Sequence, residues 1–216
     1  RVEMSTRDAG EEDREAVEEH FRRFWGEVAY VLHPPISADD RHIDIHIIPP
    51  RGDDPHYTVF TTGMSEVAMN APEGEPALVE LMMRLPQDWH DTPLWEIPAD
   101  AQEYWPINVI QYLARFPEQY ETWLGHGHTV PNGDPPQPMV DGSPFTCIFV
   151  CDPPNSDRGF GRIVLAEGRF IQVYALLPIT TAEMNLCIEQ GENPMLAALS
   201  DAGVGYVINA TRKSVI

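Results

Sequence analysis

Residues 41–50 read RHIDIHIIPP, and the alternation within them sets the fold class. Ile43, Ile45 and Ile47 fall on one side and His42, Asp44 and His46 on the other, which is the period-two pattern of a half-buried strand. Pro49-Pro50 and the RGDDP that follows close it. HYTVFTTGMS (56–65) and ALVELMMRLP (77–86) read as two further strands, joined through the proline- and glutamate-rich NAPEGEP. The three predict an antiparallel sheet.

Upstream, Val17, Phe21, Phe24, Val28, Val31 and Leu32 recur at helical spacing between Glu11 and His33. This predicts an N-terminal amphipathic segment over 1–33 whose helix is ended by Pro34-Pro35, with Glu11, Glu12 and Asp13 complementing the macrodipole in its first turn. Downstream, EYWPINVIQYLARFP (103–117) reads as a helix with Pro106 in its first turn, an apolar stripe of Ile107, Ile110, Leu113 and Ala114, and Pro117 as its stop. FTCIFVC (145–151) and RFIQVYALLP (169–178) read as strands, the second central, with a short hairpin partner around Gly161–Leu165. Thr180 with Glu183 forms a capping box for a helix stopped at Gly191, and Asn193-Pro194 starts another that ends before Gly203. The tail GYVINATRKSVI (205–216) reads as a closing strand, and 131–144 as a flexible Pro/Gly loop. The expectation is one α+β domain over residues 1–216, a mixed, largely antiparallel sheet packed by helices.

The formal net charge is −20, from 34 acidic and 14 basic residues, which argues against nucleic-acid phosphates and anionic lipid as partners and for a basic protein. Residues 39–103 hold 14 acidic side chains against Arg41, Arg51 and Arg84, a local net of −11. Asp53, Asp54, Glu73 and Glu75 are candidates for steering such a partner. No apolar run is long enough to span a bilayer, and the N-terminal stretch is acidic where a secretory signal is basic and then apolar, so a cytoplasmic protein is expected. Cys147, Cys151 and Cys187 are an odd number in apolar contexts and read as buried thiols in a reducing compartment.

Catalytic signatures are sparse. The serine in TTGMSE is not in a GxSxG elbow, and Ser65 reads as bonding its own turn. LGHGHT has no phosphate-cradle lysine, Lys213 being the only lysine of the chain. His42, Asp44 and His46 on one strand face, with His126 and His128 in the turn, are the residues a metal-dependent hydrolase would use, but HExxH and paired CxxC spacings are missing. No metal, no cofactor and no catalytic residue is therefore expected. Trp89, Trp95, Trp105 and Trp123 sit at element ends, suited to core packing with a partner for each N–H or to an aromatic groove.

The order and wording of HIDIHIIPP, YTVFTTGMSE, VELMMRLPQDW, YWPINVIQYLARFP, TWLGHGHTVP and IQVYALLPITTAEMNLCIEQG resembles the suppressor of fused domain family, from about His33 to the C-terminus. Gly63-Met64-Ser65, Trp105-Pro106, Leu113 with Arg115, and Thr122-Trp123 carry the resemblance together. It implies a non-enzymatic α+β protein-binding domain. Animal members sequester a transcription factor, whereas single-domain bacterial members are proposed to be immunity proteins that neutralise a toxin domain; this chain is similar to the latter, with a regulatory scaffold that sequesters a transcription factor as the alternative. Family position and charge mark His56, Trp89, Phe116, His126, Gly127 and His128 as further partner-facing candidates. Animal members read Gly-Asp-His in the turn, with the aspartate contributing to partner binding. Here His126-Gly127-His128 puts a glycine in its place.

Overall fold

The computed structural model describes residues 9–34 and 42–216; the first eight residues of the predicted N-terminal segment, and residues 35–41 with Pro35 and Arg41, lie outside the described residues. The strands are β1 (Tyr30–Leu32), β2 (Asp44–Ile48), β3 (His56–Thr62), β4 (Val79–Pro86), β5 (Thr129–Pro131), β6 (Cys147–Cys151), β7 (Arg162–Val164) and β8 (Phe170–Ile179). They form one sheet in the order β1-β2-β3-β4-β8-β6-β5, with β7 pairing on β8. The β4–β8 pair is parallel and every other pair is antiparallel. β8 is central, as its ten-residue apolar run predicts.

Alternation along each strand sorts the core into two layers. Ile45 and Ile47 of β2, Val59 of β3, Leu81, Met83 and Leu85 of β4, and Leu176 of β8 pack with α2 (Trp105–Gln119). On the other face Phe60, Met82, Phe149 and Val173 pack with α1 (Ala9–Trp25), α3 (Thr181–Gln190) and α4 (Glu192–Asp201). Phe21 of α1 stacks on Phe60 with ring centroids 3.8 Å apart, and Phe160 meets Phe21 edge-on. β2 is therefore covered on both faces rather than one, and His46, on the side predicted to be polar, is only 2% exposed.

Three predicted boundaries move. The first helix stops at Trp25 instead of His33, because Gly26 adopts φ +108° and donates its N–H to the Arg22 carbonyl at 3.1 Å, a left-handed helix end. Tyr30–Leu32 then adds to the sheet as the β1 edge. Pro117 does not end α2, which runs to Gln119. A proline in the last turn removes one N–H, and the chain closes past it through Tyr120 N to the Phe116 carbonyl and Thr122 N to the Pro117 carbonyl. The tail forms no strand: it makes one bridge, Val207 to Arg84, and is then held by side chains.

Chief among these is Arg212, 8% exposed at the side chain, whose Nη1 and Nη2 reach the two oxygens of fully buried Glu183 at 2.6 and 2.8 Å. Thr180 N and Val215 N donate to the same carboxylate, so the capping-box residue of α3 also anchors the tail. Cys147, Cys151 and Cys187 are buried free thiols, and burial pushes the first two up to about 12.

Candidate functional site

The TTGMSE turn after β3 is built around Glu80, a carboxylate with no exposed surface. Its Oε1 accepts from Gly63 N and Ser65 N at 3.0 Å and from Ser65 Oγ at 2.7 Å, while Oε2 accepts from Thr61 Oγ1 at 2.5 Å. Ser65 thus bonds Glu80 rather than its own backbone, because a buried acid needs every donor within reach. Burial still pushes the Glu80 carboxyl up, against these hydrogen bonds. Gly63 sits at φ +94°, and a side chain there would collide with Arg14 and the His42 carbonyl. Met64 is core.

The second conspicuous turn, LGHGH, joins α2 to β5 at the far edge of the sheet. Trp123 lies so closely over Gly125 that a Cβ would enter its indole. Its ring also meets the His128 imidazole edge-on at 4.3 Å. Gly127, at φ +88°, donates its N–H to the Val150 carbonyl at 2.9 Å, which extends the β5–β6 ladder into the turn. His126 Nδ1 accepts from Asp152 N at 3.0 Å, and burial lowers the His128 pKa. The loop over 67–78 is tied to the turn by Asn70 N to the Thr122 carbonyl at 3.2 Å and by Leu124 N to Met69 Sδ at 3.4 Å.

Acids from three distant segments stand around the turn. Glu75 lies close enough to His128 to favour its protonated form. The Asp152 carboxylate is 3.5 Å from His126 Nδ1. Glu192, at the start of α4, puts its Oε2 3.6 Å from where a Gly127 Cβ would stand. An aspartate side chain at 127 would occupy this same space, so an acidic group is present at the turn although the turn itself has none. Beside it a hollow of about 290 Å³ is lined by Leu177, Leu196 and Val204 beneath His126, Asp152 and Tyr206.

The other partner candidates separate. Glu73 and Glu75 are exposed around Gly74, and Asp53 is exposed beside Arg51. Asp54 instead receives Arg84 Nη2 on both oxygens at 2.5 Å and faces His56 Nδ1 at 2.9 Å. Burial would raise its pKa, but these bonds outweigh it and hold it below the usual carboxylate range. Trp89 donates Nε1–H to the Glu103 carbonyl and packs edge-on to buried Trp105, a core use. Pro106 and Leu113 are buried, and Arg115 and Thr122 half-buried. Phe116 is the middle of an aromatic row with Tyr112 on α2 and Tyr120 just past its end, which are 47% and 52% exposed.

The five residues named for metal chemistry do not converge. β2 and the LGHGH turn lie towards opposite edges of the sheet. His46 is buried against Phe60, its Nε2 2.9 Å from Thr62 Oγ1, and burial lowers its pKa to about 4. Only His42 and Asp44 meet, and their third neighbour is His33.

The family model for the Suppressor of fused protein (SUFU) matches residues 39–213. The chain belongs to the suppressor of fused family. Comparison with curated proteins finds no match. Among solved structures, a SUFU homologue from Neisseria gonorrhoeae FA 1090 has a TM-score of 0.66 at 17% identity, over 95% of this chain and 98% of that one. A chain of the Sufu-Fu complex has a TM-score of 0.66 at 18% identity, over 94% and 92%. Drosophila Suppressor of Fused has 0.56 at 20%, over 81% of this chain and 42% of that one. At these identities the structural likeness speaks to the fold, the α+β SUFU architecture.

Within that architecture the shared motif residues divide by role. Gly63, Ser65, Trp105, Pro106 and Leu113 are buried in the interior of the SUFU domain, whereas His126 of the LGHGH turn and the tyrosines on either side of Phe116 are exposed. Asp152, Glu192 and Tyr112 were not singled out by sequence reasoning. The first two come 26 and 66 positions after His126, and no local pattern marks them. Tyr112 stands one turn before Phe116 on the exposed side of α2, a signal available in the i, i+4 spacing. Among the described residues no helix is long and apolar enough to cross a membrane.

Proposed function

We propose that this chain is a protein-binding domain that acts as an immunity protein, covering the cationic surface of a toxin domain through the LGHGH edge. The observation that carries this reading is the approach of Asp152 and Glu192 to the turn, with the Glu75 charge acting on His128, in a chain of net charge −20. A lysine or arginine of the partner fits the adjoining hollow, its stem on Leu177, Leu196 and Val204 and its head on Asp152. Steering by the wider acidic surface raises the association rate, and the desolvated contacts at the turn set residence time. The aromatic row Tyr112, Phe116 and Tyr120, on the α2 side of the sheet, supplies further apolar area at low entropic cost. The SUFU chain solved in the Sufu-Fu complex supports a protein partner as the general mode.

The test is co-expression with the candidate toxin encoded nearest to this chain's gene. Growth rescued by the wild-type chain and lost on reversing Glu75, Asp152 and Glu192 to lysine is the expected result. Rescue that persists in the triple variant contradicts the proposed surface, and absence of rescue by the wild type contradicts the immunity role.

A further inference from the structure

At the edge opposite the LGHGH turn, two imidazoles and a carboxylate come together at the ends of two paired strands. Leu32 of β1 pairs with Ile45 of β2, so the following residue, His33, stands across from Asp44. His42, two positions before Asp44, projects to the same side of the extended chain. His33 Nδ1 and His42 Nε2 lie 2.7 and 2.9 Å from one and the same oxygen, Asp44 Oδ1. The rings stack with centroids 5.6 Å apart and planes 11° from parallel. One ligand atom from each residue lies within 4.8 Å of the other two.

We propose that His33, His42 and Asp44 form a zinc(II) site. Two neutral imidazoles and one carboxylate make a recurrent ligand set for this ion, with a fourth position left for water. Bonds of about 2.0–2.2 Å at tetrahedral angles separate ligand atoms by roughly 3.3 Å. Each imidazole nitrogen therefore moves about half an ångström away from Oδ1 to admit the ion, and the two nitrogens draw together around it. The side chains of His33 and His42 are 62% and 44% exposed, so both rings are free to make that adjustment.

The carboxylate, by contrast, is fixed. Its second oxygen, Oδ2, receives Arg14 Nη1 at 3.1 Å, which leaves Oδ1 for the ion. Arg14 is held in turn by Glu66 Oε1 at 2.6 Å, by Thr62 and by the His42 carbonyl. An outer partner that orients a ligating carboxylate is the usual support of a first-row metal site. The bound ion joins the edge strand β1 to β2 and, through Arg14, to α1. The site shares no residue with the proposed protein-binding edge, and its existence does not depend on that reading.

The experiment uses the full chain free of any polyhistidine tag, stripped with chelator and titrated near neutral pH with zinc(II) by calorimetry and with cobalt(II) by visible absorption. One equivalent of zinc and the intense d–d bands of tetrahedral cobalt are expected. His33→Ala and His42→Ala, both at exposed positions that keep the fold, each weaken zinc binding roughly tenfold or more. His126→Ala and His128→Ala leave it unchanged. Absence of saturable zinc binding, or equal binding by the His33→Ala and His42→Ala variants, overturns the proposal.

Discussion

The Glu192 carboxylate stands 3.6 Å from the point where a side chain on Gly127 would begin. An acid therefore reaches the turn from α4, a helix that starts 65 positions later in the chain, while the turn itself keeps the glycine its φ of +88° favours. The substitution Gly127→Asp places two carboxylates together on a strained backbone. The variant is expected to lose about 1–2 kcal/mol of stability in urea denaturation, and adding Glu192→Gln recovers part of the loss.

Acidic residues close in sequence differ in their predicted effect. Asp54→Lys removes the partner of Arg84, whose side chain is 11% exposed, and places two cations together. It should lower the unfolding midpoint by the equivalent of about 3–5 kcal/mol. Glu73→Lys, on an exposed loop, leaves thermal stability within about 0.5 kcal/mol of wild type. Differential scanning of the two variants separates a structural acid from a surface one.

Arg212 and Glu183 decide whether the tail stays docked. Arg212→Met leaves a buried carboxylate without its cation and is expected to cost about 3–5 kcal/mol. The pH dependence has a definite sign. Burial alone would raise the Glu183 carboxyl, but Arg212, Thr180 and Val215 lower it below its ordinary value of 4.5. The stabilisation is thus present in full above the unfolded carboxyl's range and disappears as pH falls through the lower folded value. Urea midpoints measured from neutral pH down to about pH 3 should fall more steeply for wild type than for Glu183→Gln in the acidic limb.

Ser65→Ala removes one of three donors to Glu80 Oε1 without changing the backbone of the turn. The expected loss is about 1–3 kcal/mol by chemical denaturation, with the partner-binding edge unaffected. Loss of partner binding at unchanged stability would instead place Ser65 on a contact surface.

Much of the fold is legible in local pattern. β2, β3, β4, β6 and β8 follow from alternation and proline punctuation, and α3 from the reciprocal bonds of Thr180 and Glu183. The first strand was hidden because Val28, Val31 and Leu32 continue a helical stripe, and only the left-handed Gly26 decides against it. That error also concealed His33, since its place beside Asp44 depends on the β1–β2 register. Glu80 carried a weak signal, one acid in the apolar run VELMM, and it explains Ser65. Asp152 and Glu192 left none, because only long-range packing brings them to the turn, whereas the local excess of acid had already marked Glu75.

Binding of a basic protein by this SUFU-family chain through the acidic LGHGH edge, as proposed, is open to a direct test. Tagged wild-type chain and the Glu75→Lys, Asp152→Lys, Glu192→Lys variant should be used side by side to capture proteins from lysate of the source organism, at low and moderate salt. One basic protein retained by wild type, released as salt rises and absent from the variant is the expected result. A partner recovered equally by both chains, or none with the wild type at either salt, would contradict it.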